Sequence, residues 1–287
     1  MRYCISHHTE YRYTEAVTLA PHLLRLRPRM DGCQLVSFFR LEVHPTPQHQ
    51  SQLVDLDGNA LIKVWFDRAL TESLSVHMTA EVETLRMNPF EYLLEPWAIR
   101  LPIDYPVSLQ RQLQPYLEGQ FSGTAALDPI ATQLAQELWL TVDGHPGSFL
   151  TELNTRIYKE CQYQLRETGA PLPPGLTWTH KSGTCRDFAV LFIEVCRAIG
   201  LAARFVSGYQ EGDPDSNDRH LHAWAEVYLP GAGWRGYDPT HGLAVSDRHI
   251  ALVASAVARD TAPIMGVIHP GHVQATMTYT LTIRSAD

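Results

Sequence analysis

The end of the chain alternates between apolar and polar residues, and this period of two constrains the fold more than any other feature. Every second residue from Val273 to Ile283 is apolar, and every second residue from Gln274 to Arg284 is polar. Successive side chains of a β-strand point to opposite faces, so the pattern predicts a half-buried strand. We expect this strand to close a sheet.

The first 85 residues also show the pattern of β structure. Alternate positions from Tyr3 to Tyr13 share one face of a predicted strand, and turn residues occur at Asp57–Asn59. Further short β-rich runs follow at 36–43, 60–66 and 73–85. Several short strands joined by polar turns predict a small β-sandwich, which we assign to a domain of residues 1–95.

The rest of the chain, residues 96–287, is predicted to be a second domain that includes the C-terminal strand. The boundary between the two domains falls within a proline-rich connecting region, residues 88–123, with a short helix predicted at Phe90–Leu94. Apolar residues three and four apart then predict three helices, and short apolar runs predict strands. The predicted helices are 129–140, 148–163 and 185–199, with a fourth at 248–257, and the predicted strands are 202–209, 222–229 and 234–237. The expected fold class is therefore α+β.

Cys185 opens the most regular of these helices. Thr184 and Asp187 form a capping box at its start, with Asp in place of the usual Glu. The free N–H groups and positive partial charge of a helix N-terminus favour a thiolate, and the Cys185 N–H would face a developing oxyanion. The competing interpretation is a small buried apolar residue, which describes Cys4, Cys33, Cys161 and Cys196 well.

His222 and Asp238 stand on two neighbouring predicted strands. A Pro-Gly turn joins the strands, so a hairpin would bring Asp238 close to His222. A thiol nucleophile needs a base that accepts its proton and returns it to the leaving amine, and an aspartate can orient that base. Each residue has an ordinary structural alternative, but the three together predict a Cys–His–Asp catalytic group.

The composition of the chain disfavours several classes of binding partner and site. The net charge of −8 disfavours nucleic acid, and no run is apolar enough to span a membrane. Five scattered cysteines without a C-x-x-C pair argue against a disulfide framework and a zinc ribbon. With no apolar secretory signal at the start, we expect a protein of the reducing cytoplasm.

These segments resemble the transglutaminase-like superfamily, which has a papain-like core. The resemblance is carried by 183–189, 196–209, 222–228 and 233–240. The start of the chain is similar to the β-rich region that precedes this core in bacterial members. The matching residues there are His7, Thr9, Tyr11, Tyr13, Leu26–Pro28 and Asp57–Asn59.

The resemblance implies that Cys185 is the nucleophile, His222 the general base and acid, and Asp238 the orienting residue. The implied substrate is a peptide or protein amide, attacked to form a thioester that water or a second amine resolves. Gln162 or Tyr163 is expected to supply a second oxyanion donor, and Trp224 is a candidate for the substrate cleft. We expect a hydrolase rather than a cross-linking enzyme, with no cofactor; a non-catalytic binding module is the alternative. Oligomeric state is left open.

Two possible metal sites are disfavoured. The acidic loop 213–218 opens like a calcium loop but lacks glycine at its sixth position and glutamate at its twelfth, so we expect a solvated loop beside the active site. His220, His222 and His241 with Cys185 match no ordinary zinc spacing, and a metal would quench the nucleophile.

Overall fold

A computed structural model describes residues 1–119, 126–166, 168–212 and 219–286. The N-terminal part is entirely β structure, as predicted. Its six strands are β1 (Arg2–Leu19), β2 (His22–Leu24), β3 (Gln34–His44), β4 (His49–Val54), β5 (Ala60–Trp65) and β6 (Thr71–Thr84).

The rest of the chain mixes helices and strands. Its helices are α1 (Val107–Leu117), α2 (Pro129–Thr141), α3 (Pro146–Glu160), α4 (Pro174–His180) and α5 (Cys185–Ala198), with 3₁₀ turns at Pro96–Ala98 and Ala258–Thr261. Its longer strands are β9 (Ala203–Gln210), β10 (His222–Leu229), β11 (Gly233–Asp238), β13 (His249–Ser255) and β16 (Ala275–Ser285). Its short strands are β7 (Gln162–Tyr163), β8 (Ser182–Gly183), β12 (Leu243–Ala244), β14 (Ile264–Met265) and β15 (Ile268–His269).

The strands of the N-terminal part form two sheets that share a core. One sheet has the order β15-β1-β6-β3, with β16 also paired to β1, and the other has the order β14-β2-β5-β4. The long alternating strand β16 runs antiparallel to β1, with Tyr3 opposite Ser285 and Tyr13 opposite Ala275. The predicted closing strand is therefore confirmed, but it completes the N-terminal sheet rather than a sheet within 96–287.

The second part is built on an antiparallel sheet of order β12-β11-β10-β9-β13. Helix α5 packs on β9 and β10, and α2, α3 and α4 pack around α5. Eleven of the fourteen residues of α5 are buried, including Phe188, Leu191 and Val195. The expected α+β fold, with the helix that begins at Cys185 packed on an antiparallel sheet, is confirmed.

Three local predictions are wrong. Residues 248–257 contain strand β13 rather than a helix, because this apolar run pairs with β9 along one edge and packs against the N-terminal core. Phe90–Leu94 is not helical, and Phe90 and Leu93 are exposed rather than gathered on one buried face. The proline-rich connection instead contains α1, where Leu109 and Leu113, four residues apart, pack on the core.

No helix in the described part of the chain is long and apolar enough to cross a bilayer.

Candidate active site

Cys185 is the first residue of α5 and is partly exposed. The predicted capping box is present: Asp187 Oδ2 accepts hydrogen bonds from the Thr184 backbone N–H at 2.8 Å and from its hydroxyl at 2.9 Å. Asp187 is fully buried, and its other oxygen accepts from Arg166 and from the Leu172 N–H, both at 2.7 Å. This network anchors the turn that presents Cys185.

His222 and Asp238 come together at one end of the core sheet. His222 is the first residue of β10, Asp238 is the last residue of β11, and the two strands pair antiparallel. The Nε2 atom of His222 lies 2.8 Å from Oδ2 of Asp238. This bond uses Nε2, and Cys185 lies close enough to His222 to raise its pKa.

The electrostatics of the pair favour charge separation. Burial alone would lower the pKa of His222, but the charge of Asp238, their hydrogen bond and a contribution from Cys185 raise it to about 10. Burial alone would raise the pKa of Asp238, but the charge of His222 and the surrounding hydrogen bonds hold it well below its ordinary value. The two shifts both favour an aspartate beside an imidazolium.

Two further histidines contact Asp238. His241 Nδ1 lies 2.9 Å and His249 Nε2 lies 3.1 Å from the same Oδ2 atom, and the Thr240 N–H donates to Oδ1 at 3.0 Å. Sequence reasoning missed His249, and it considered His241 only as a metal ligand. No local pattern could have found His249, because it lies at the start of a strand that was predicted as a helix.

One group of side chains has the spacing of a metal site. Within the described residues, His222, Asp238 and His241 offer ligand atoms that all lie within 4.8 Å of one another. His220, a member of the zinc set that the sequence disfavours, is directed elsewhere, since its Nδ1 is hydrogen-bonded to the Tyr279 hydroxyl. The atoms that could ligate a cation are joined here by hydrogen bonds to Asp238.

A cleft of about 240 Å³ opens beside Cys185. The second part of the chain, which contains α5 and the β12-β11-β10-β9-β13 sheet, supplies one wall of the cleft. This wall includes Tyr163, Leu165 and Arg186. Strands β1 and β16 supply the facing wall. The residues of this β wall are His7, Thr9, Tyr11, Met277 and Tyr279.

The three other residues of the predicted site, Tyr163, Gln162 and Trp224, differ in their positions. Tyr163 lines the cleft, and its pKa is raised by burial and by the nearby charge of Cys185. Gln162 is exposed and is not among the cleft-lining residues. Trp224 does not line the cleft either. It is 1% exposed because it lies deeper along β10 than His222, where the His249 ring packs against it at 5.4 Å. The predicted acidic loop 213–218 lies outside the described residues.

The sequence matches two family models. Residues 3–83 match the bacterial transglutaminase-like N-terminal region, and residues 132–239 match the transglutaminase-like superfamily. An uncharacterized protein of Mycobacterium tuberculosis is 30% identical over 285 residues, which cover 93% of this chain and 88% of that protein.

Two further similarities are informative. The protein-glutamine gamma-glutamyltransferase of Pseudomonas aeruginosa is 29% identical over 194 residues, covering 62% of this chain but only 28% of that enzyme. Among solved structures, a Cytophaga hutchinsonii protein provisionally assigned as a cysteine protease superposes with a TM-score of 0.71. That match has 20% identity and covers 100% of this chain and 92% of the other.

Proposed function

This chain belongs to the transglutaminase-like superfamily, and from that premise we propose that it is a thiol-dependent amide-bond enzyme in which Cys185, His222 and Asp238 carry the chemistry. The observation that carries the proposal is the position of His222. Its Nε2 atom is hydrogen-bonded to a fully buried aspartate, and its pKa is raised in part by Cys185, a residue at a helix N-terminus beside an open cleft. A packing histidine needs neither neighbour.

The reaction follows from this geometry. The Cys185 thiolate attacks the amide carbonyl carbon, and the Cys185 N–H at the start of α5 donates to the resulting oxyanion. Tyr163 is the candidate for a second donor, since its side chain reaches the same cleft. The His222 imidazolium gives its proton to the leaving amine, and a thioester remains on Cys185. Water, deprotonated by His222, then attacks the thioester and releases a carboxylic acid with the free thiol.

Hydrolysis is the reaction we favour over transfer to a second amine, with a peptide or protein as the substrate. The similarity to a protein-glutamine gamma-glutamyltransferase supports transfer as the second candidate, because both reactions share the thioester. A non-catalytic binding module is the third and weakest candidate, since binding requires no activated cysteine. The five free cysteines are consistent with our proposal of a cytoplasmic location.

Mass spectrometry of a mixed peptide library tests the proposal, with and without a primary amine. Cleaved or deamidated peptides indicate a hydrolase, and peptides that gain the mass of the amine indicate a transferase. We expect Cys185→Ala to lower the rate at least about 10³-fold, because the nucleophile is lost. The matched control is Cys4→Ala, an exposed cysteine of the N-terminal sheet. The proposal fails if a pre-activated ester is also left intact by the wild-type protein.

A further inference from the structure

Asp238 is held by more donors than a catalytic triad requires. Its Oδ2 atom faces His222 Nε2 at 2.8 Å, His241 Nδ1 at 2.9 Å and His249 Nε2 at 3.1 Å. Only the first of these bonds belongs to the proposed triad. The aspartate itself is 0% exposed, so water cannot easily replace a donor that is lost on the buried side.

The two additional histidines differ in their access to solvent. The side chain of His241 is 41% exposed, so a water molecule can take over its hydrogen bond. The side chain of His249 is 2% exposed and packs edge-on against Trp224. His249 is therefore the donor that nothing else can replace.

The other ring nitrogen of His249 shows what this arrangement costs. Within the described part of the chain, Nδ1 of His249 is buried and has no hydrogen-bond partner. Burial lowers the pKa of His249, and the hydrogen bond to Asp238 offsets this only in part, which favours the neutral ring. A neutral imidazole has one N–H, and here that N–H points at Asp238. An apolar side chain would fill the same space without leaving a polar atom unpaired.

We propose that His249 is a positioning residue that holds the Asp238 carboxylate in line with His222; the inference rests on the proposed function. With Oδ2 fixed by a donor from β13, the carboxylate cannot rotate away from Nε2 of His222. It therefore continues to stabilise the imidazolium that balances the Cys185 thiolate. The titratable groups that face this carboxylate among the described residues are His222, His241 and His249, and Cys185 faces His222 from α5.

Two substitutions separate positioning from packing. His249→Gln places an amide nitrogen the same number of bonds from Cα as the imidazole Nε2, so the donor is kept. His249→Leu fills the site without a donor. The readout is the rate of Cys185 alkylation by iodoacetamide between pH 5 and pH 8, resolved by mass spectrometry, with exposed Cys4 as an internal reference.

We expect wild-type Cys185 and the Gln variant to react at nearly constant rates over this range, within about threefold of each other. The Leu variant should lose about tenfold or more of its rate at pH 6 and gain it back as pH rises, as an ordinary thiol does. Circular dichroism checks the fold. If the Leu variant does not fold, His249→Asn takes its place as the variant without a donor to Asp238, because its amide is one bond too short to reach that carboxylate.

The results distinguish failure of the proposed function from failure of the positioning role of His249. If wild-type Cys185 reacts like Cys4 at every pH, the proposed function is wrong. If wild-type Cys185 is activated and the Leu or Asn variant keeps the same pH profile, His249 is a packing residue and the positioning inference is wrong.

Discussion

Asp187 and Asp238 are two aspartates that the fold buries completely, and each is surrounded by donors. Asp187 accepts from Thr184, Leu172 and Arg166, and this holds the turn before Cys185. Asp238 accepts from three histidines and a backbone N–H, and this holds the ring of His222, the proposed general base. Buried carboxylates are costly unless paired and hydrogen-bonded, so both networks stabilise charges that flank the proposed catalytic group.

His7 is a buried histidine of the cleft, and it gives the fold a specific sensitivity to acid. Its Nδ1 lies 2.8 Å from the Tyr209 hydroxyl, and burial, with smaller effects of His8 and His77, lowers its pKa to about 4. Because the unfolded chain binds this proton near pH 6.5, the native state loses stability as pH falls from about 6.5 towards 4.

We expect the wild-type protein to lose about 2 kcal/mol more unfolding free energy than His7→Gln between pH 7.5 and pH 5. At pH 7.5 the variant should be about 1 kcal/mol less stable, since it loses part of a buried hydrogen-bond pair. Urea denaturation at the two pH values measures both quantities. His8→Gln, on the opposite face of the same strand, is the matched control. Parallel losses in the wild type and the His7 variant would contradict the prediction.

At the scale of elements, β1 and β16 form the wall of the cleft that faces the nucleophile. Tyr11 stands opposite Met277 and Thr9 opposite Tyr279 in their register, and all four side chains line the cleft. This wall is mainly aromatic and aliphatic. We therefore expect it to contact an apolar side chain on the acyl part of the substrate.

Tyr11→Ala should raise KM for the best peptide of the library about tenfold and leave kcat nearly unchanged, because a binding contact away from the reacting atoms is lost. Steady-state kinetics on that peptide measures the split. Arg12→Ala is the control. Arg12 is the next residue in β1 after Tyr11, and its side chain lies on the opposite, solvent-exposed face of the strand. A drop in kcat at constant KM would show that the wall acts on the chemistry rather than on binding.

At the scale of the whole molecule, the buried side-chain amides of Asn59 and Gln34 join the N-terminal part of the chain to the outer edge of β13. The Asn59 side chain donates to Ala254 O at 2.7 Å and accepts from Ala254 N at 2.9 Å. The Gln34 side chain makes the same pair of bonds with Ala251, both at 2.9 Å. These amides satisfy an edge strand that would otherwise present unpaired backbone groups.

Asn59→Ala should lower the free energy of unfolding by about 3 kcal/mol, since it leaves the N–H and C=O of Ala254 buried without these partners. Chemical denaturation followed by tryptophan fluorescence and by circular dichroism measures the loss. Asn88→Ala, at an exposed position, should cost less than about 1 kcal/mol. An unchanged midpoint for Asn59→Ala would mean that the two halves are joined mainly by apolar packing.

The positions of Cys185, His222 and Asp238 could be predicted from the sequence because each depends on a local pattern. Cys185 lies inside a capping box at the start of an apolar helical face, and His222 and Asp238 lie on two strands of one predicted hairpin. The alternation of apolar and polar residues likewise predicted that the segments of β1 and β16 form strands. Period and capping are properties of short segments, and the segments here adopt their local preference.

Only the tertiary structure decided which segments meet. A half-buried strand can close any sheet with a free edge, and the alternation of β16 does not say that its partner is β1. The apolar run of β13 suits a helix as well as a buried strand, and only its pairing with β9 selects the strand. That selection brings His249 to Asp238. Its role depends on contacts between distant parts of the chain, which no local period encodes.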